Sequence, residues 1–129
     1  YSQTYIILNW AKDFKSIFIM IKIDNFKLPK ESDSGNIEYK REISLNNMDK
    51  YLTQMIYRLN EGNGIAYYYL GVDDNGNFYD WDEKVKSASL KNLIDIISKI
   101  NAKINYILEF NSGYKVKIYS EKYKSNFLW

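Results

Sequence analysis

A chain of 129 residues, 46% hydrophobic and 17% aromatic, is long enough for one domain with a buried core of its own. Its net charge of +2 does not by itself argue for nucleic-acid binding. With no cysteine and no histidine, disulfides, thiolate or His-ligated zinc, Ser-His-Asp triads and Cys-His dyads are excluded, so any catalysis would fall to carboxylates, lysines or tyrosines.

The lack of cysteine fits a reducing, cytoplasmic setting. Heavy use of Asn, Lys, Ile and Tyr with a single Pro is the composition of a protein from an AT-rich genome. The run Ile17 to Ile21 falls far short of the roughly 20 apolar residues that span a bilayer, so no membrane is expected as a partner.

Residues 5–23 begin apolar as YIIL, which could be a helical turn or a strand, and end as SIFIMIKI, which predicts a strand. Residues 27–36, KLPKESDSGN, read as a loop, so residues 1–34 form an N-terminal extension of uncertain role and residues 35–129 a single α+β domain. NIEYKREI (36–43) alternates with a period of two. Ile37, Tyr39, Arg41 and Ile43 are expected on one face, and Glu38, Lys40 and Glu42 on a wet one. Asn46 or Asn47 offers an N-cap, and Met48, Leu52, Met55 and Leu59 make the stripe of a helix that Gly62 and Gly64 end.

IAYYYLGV (65–72) predicts a largely buried strand, with NFYDW (77–81) as its hairpin partner. Between them Asn75-Gly76 suits a type I′ turn, which needs positive φ at both residues. Asp82 is the N-cap of a second helix whose stripe is Val85, Ala88/Ser89, Leu93, Ile96/Ile97 and Ile100. Two strands, 103–110 and 114–119, joined by Asn111-Ser112-Gly113, follow. The order from residue 36 is β-α-β-β-α-β with an added strand, which predicts an α+β two-layer sandwich with two helices on one sheet.

Four features could carry chemistry or contacts. GVDDNG (71–76) places Asp73, Asn75 and Asn77 at EF-hand spacing. Phe78 then stands where the motif requires Gly, and Lys84 where it requires Glu, so the calcium reading fails. Gly71 and Gly76 have phosphate-loop spacing but lack the following Lys-Ser/Thr. Glu38, Lys40, Asp73 and Asp74 could gather round a divalent cation for phosphodiester cleavage if strand 36–43 neighbours Val72, though solubilising charge on a strand is the commoner use. Tyr67 and Tyr69 share a strand face that could stack bases, and packing is the favoured use. Lys115, Lys117, Lys122 and Lys124 read as protection of an edge strand, or as a contact for RNA or a neighbouring domain.

GNIEYK (35–40), LTQMIYRLNEGNGIAYYYLGVDDNG (52–76) and ASLKNL (88–93), with Ala102-Lys103-Ile104, resemble the N-terminal region of the GTP-binding protein 1 and 2 family, translational GTPases related to elongation factor Tu. The resemblance covers about the last three quarters of the chain and implies a non-catalytic accessory domain. Its partners would be the GTPase domain of the same chain and the ribosome, tRNA or other RNA. GTP and Mg²⁺ would belong to a domain following Trp129; this chain has no G-x-x-x-x-G-K-[ST] and no GTP-binding or metal residue of its own. Phe127-Leu128-Trp129 would approach that domain's first strand. Glu38-Tyr39-Lys40 and GVDDNG are also similar to Schlafen AlbA-like domains, which implies an RNA-binding or metal-dependent nuclease module using Glu38, Lys40 and Asp73 or Asp74, with Glu31 as a weaker addition.

Overall fold

The apolar patterns above resolve into six strands and two helices in a computed structural model that describes residues 3–8 and 17–125, with side chains from residue 24 onward. Their order is β1 (Gln3–Leu8), β2 (Ile17–Ile23), β3 (Ile37–Lys40), α1 (Met48–Glu61), β4 (Ile65–Leu70), α2 (Glu83–Lys99), β5 (Lys103–Phe110) and β6 (Gly113–Tyr119). They form one mixed sheet, β1-β2-β5-β6-β4-β3. β3 and β4 run parallel across α1, while β4 and β5 are both antiparallel to β6, which lies between them. The unit β4-α2-β5 is therefore a split β-α-β, and the α+β two-layer architecture expected from the sequence is the one observed.

α1 forms because Met55 and Leu59 bury completely against the sheet and Leu52 packs beside them. It stops where Asn63 and Gly64 take φ values of 53° and 94°, letting the Gly64 amide bond the Leu59 carbonyl at 2.7 Å. α2 starts at the expected cap, the Asp82 carboxylate accepting from the Lys84 amide at 2.8 Å. It ends at Asn101, φ 58°, where the Ala102 amide reaches back to the Ile97 carbonyl. Leu93, Ile97, Leu70, Ile107, Val116 and Ile118 complete the main core between helices and sheet. A smaller cluster of Leu28, Tyr39, Tyr69, Val72 and Phe110 lies on the other face, under residues 26–31.

Several expectations change. Residues 77–81 are not a strand: only Val72 and Phe78 make a bridge, and the Tyr79 amide bonds the Gly71 carbonyl. Both hydrogen-bonding edges of β4 are already taken, by β3 and β6, so a hairpin partner has nowhere to pair. β3 does not split into a wet charged face and a dry one: Glu38 is buried and Ile37 is 43% exposed, because the charged side faces α1. Val85 lies at the exposed edge of α2, and Lys86 is buried in its place. β6 is a central strand, not an edge, so its lysines guard no free edge. At the N-terminus YIIL belongs to β1, and β2 pairs with β5, so residues 1–34 contribute strands to the same sheet. The Phe127-Leu128-Trp129 ending lies outside the described residues. Among the described residues no helix is long and apolar enough to cross a membrane.

Candidate functional site

The acidic set predicted from the sequence is organised by a residue that the sequence reading passed over. Arg58, buried on α1, donates from Nε to Glu38 at 2.9 Å. Its terminal nitrogens donate to the carbonyls of Ser32, Ser34 and Gly35. Lys40 Nζ stands 3.3 Å from the other Glu38 oxygen. Glu31 lies 3.9 Å from Arg58 and accepts from the Tyr39 amide at 2.6 Å. Burial raises the Glu31 pKa. The Tyr39 amide opposes that rise, and repulsion from Glu38 and Asp74 adds to it. The arrangement can clamp loop 31–35 onto the sheet. Glu38 and Lys40 meet as i, i+2 neighbours on the helix side of β3, with the Arg58 guanidinium already on the other Glu38 oxygen.

Asp73 and Asp74 are used differently. Asp73 Oδ1 accepts from the Asn75 and Asn77 amides, the Asp73 amide bonds the Asn77 carbonyl, and the Gly76 amide bonds the Asp73 carbonyl. Of the two turn residues Asn75 and Gly76, only Gly76 has positive φ (88°). The turn is thus a three-residue loop closed by a left-handed glycine rather than type I′, because the Asp73 carboxylate holds Asn75 in ordinary backbone space. The Asn77 amide first, then that of Asn75 and nearby Lys27, hold the Asp73 carboxyl below the ordinary aspartate value. Asp74 contributes its carbonyl to the Glu31 amide at 2.8 Å, and Leu28 bonds Gly76 alongside. Among the described residues no three acidic side chains are placed to share a metal ion.

On the sheet face away from the helices, tyrosines and lysines interleave. The register sets Tyr67 beside Lys117 and Lys117 beside Tyr106; Tyr69 faces Lys115. Lys115 Nζ lies 5.0 Å from the Tyr67 ring centre and 5.7 Å from those of Tyr69 and Tyr106. Lys117 Nζ lies 5.8 Å from the rings of Tyr67 and Tyr106. Burial pulls the Lys115 pKa down, yet hydrogen bonding to Tyr106 and the neighbouring Tyr69 leave it above the ordinary lysine value. Tyr67 and Tyr69 do share a face, as expected, whereas Tyr68 is in the main core.

The signal for the missed charges was available in their spacing. Arg58 is three residues after Met55 and adjoins Leu59, within the inward stripe of α1. Lys86 stands three, four and seven residues before Ser89, Leu90 and Leu93. It is buried, bonds Glu109 at 3.1 Å, and sits over the Tyr114 ring. Burial, with Glu109 next in effect, pushes the Tyr114 phenol up to about 12.

No family model matches the chain. Over 90 residues, 67% of its length, it is 40% identical to GTP-binding protein 2 of Mus musculus and to that of Homo sapiens. Two thirds of this chain is similar to GTP-binding protein 2. The chain spans only 15% of the length of those relatives. It is also 35% identical over 95 residues, 70% of its length, to an uncharacterized protein of Acanthamoeba polyphaga mimivirus, of which it covers 51%.

The β4–α2 connection, where a strand-loop-helix phosphate site would sit, does not fit GTP. The Asp82 carboxylate accepts from the Lys84 amide at the start of α2, and Asn77-Phe78, not a lysine-serine or lysine-threonine pair, come directly after Gly76.

Proposed function

We propose that this chain is a non-catalytic accessory domain of a GTP-binding, elongation-factor-like translational GTPase, with the guanine-nucleotide site and its Mg²⁺ held by residues outside these 129. The observation that carries this reading is the 40% identity with GTP-binding protein 2 over 90 residues. The occupied start of α2 supports it, because a carboxylate already sits where a phosphate would need amides. The Arg58 clamp, on this reading, is structural: it holds loop 31–35 to the sheet and performs no chemistry. The partners would be the GTPase domain of the same polypeptide and the translation machinery in the cytoplasm.

The coding sequence beyond residue 129 tests the reading. A G-x-x-x-x-G-K-[ST] motif opening a following domain is the expected result. A reading frame that closes soon after residue 129 without one would overturn it.

A further inference from the structure

We propose that the sheet face turned away from the helices binds single-stranded RNA, with bases stacking on Tyr67 and Tyr106 and phosphates meeting Lys115 and Lys117. Lys115 and Lys117 lie over the rings of Tyr67 and Tyr106, contacts that an incoming phosphate and base would replace. β6 is central, so its lysines protect no edge. The two acids within β3–β6, Glu38 and Glu109, both point to the helix side, where Arg58 and Lys86 take them. Lys40 is on that side as well, against Tyr51. The face opposite therefore carries three cations, Lys103, Lys115 and Lys117, and no carboxylate from these four strands, a sign complementary to a phosphate backbone.

The rings supply what charge alone does not. Tyr67 and Tyr106 flank Lys117 on either side across neighbouring strands, roughly two strand spacings, or about 9.5 Å, apart. Both remain partly exposed, as do Lys115, Lys117 and Tyr119. Stacking on tyrosine needs an unpaired base, which a duplex does not offer. Three lysines are also too few to hold a duplex by phosphate contacts alone. The phenol hydroxyls around the lysines offer donors and acceptors for ribose 2′-hydroxyls, which favours RNA over DNA. The proposal stands on the sheet face and not on the relationship to GTP-binding protein 2, so it and the proposed function fail separately.

The test is fluorescence anisotropy of the 129-residue chain with a labelled uridine-rich RNA of about 12 nucleotides, within the site size of single-strand binders. Parallel titrations use the DNA of the same sequence, an RNA duplex of the same length, and heparin. Saturable binding of the single-stranded RNA above the other three is expected. The pair Lys115→Gln/Lys117→Gln should lower the log–log salt slope by about 1.4, at roughly 0.7 per lysine. The pair Tyr67→Leu/Tyr106→Leu should weaken binding by about ten-fold or more at constant salt slope. Far-ultraviolet circular dichroism and the urea midpoint identify variants that keep the fold; for either pair that does not, the single variants Lys117→Gln and Tyr106→Leu replace it. Absence of saturable RNA binding overturns the proposal, as does binding untouched by the tyrosine variants. Equal affinity for heparin or duplex would reduce the face to a general polyanion contact, and equal affinity for DNA would overturn the assignment to RNA.

Discussion

Replacing Arg58 with methionine should be the most damaging single charge change in the molecule. Methionine keeps much of the side-chain volume but removes every donor. Glu38, 6% exposed, would keep Lys40 at 3.3 Å as its one ionic partner among the described residues. Breaking a buried pair by removing one member costs about 3–5 kcal/mol, because the remaining charge stays desolvated. The carbonyls of Ser32 and Ser34 lie in exposed residues and can take water instead, so their loss adds little. With an unfolding entropy near 2.1 cal/mol/K per residue, 129 residues give about 0.27 kcal/mol/K, so a loss of about 4 kcal/mol lowers Tm by about 15 °C. Urea denaturation of wild type, Arg58→Met, Glu38→Gln and the double variant closes a thermodynamic cycle. The double variant should recover about 2 kcal/mol or more relative to the sum of the singles. A loss below about 1 kcal/mol for Arg58→Met, the scale of a surface ion pair, would refute the buried-clamp reasoning.

A methyl group on Gly113 would sit 2.1 Å from the Leu70 carbonyl oxygen, so Gly113→Ala should cost about 1–3 kcal/mol or more, read from the urea midpoint. Asp82→Ala removes the cap of α2 and should cost about 1 kcal/mol in the same assay. Glu31 has a native pKa above its unfolded value near 4.5, so the native state holds its proton more tightly. Its favourable contribution is complete below that value and falls as pH rises through it toward the raised one. The stability of wild type relative to Glu31→Gln should therefore decline as pH rises above about 4.5, measured by urea unfolding across the acid range, and a flat difference would contradict the assignment.

What the sequence disclosed follows from the strength of each local signal. The stripes Met48-Leu52-Met55-Leu59 and Leu93-Ile97-Ile100 fix two helices, because a 3.6-residue period admits few other readings. The turn Asn111-Ser112-Gly113 similarly announces the β5–β6 hairpin. Sheet order was not legible, since it depends on pairings between segments far apart in sequence. Without it, Lys115 and Lys117 looked like guards of an edge and 77–81 looked like a strand, although β4 has no free side to receive one. The alternation in β3 is a period of two, but both sides are covered: Tyr39 is buried as expected and Glu38 is buried against expectation. Nothing in IEYK itself says that an arginine 20 residues later will draw Glu38 inward. The density of acid at Asp73 and Asp74 is plain in the sequence, and its use is not. What they do is shape a turn and hold segment 28–31 against it.

The central claim is that nucleotide chemistry lies outside this chain. The most direct measurement is a calorimetric titration of the 129-residue protein with GTP in excess Mg²⁺. No saturable heat at micromolar concentrations is the predicted result, because Asp82 caps the start of α2 and these 129 residues hold no G-x-x-x-x-G-K-[ST]. Stoichiometric binding with micromolar affinity would contradict it.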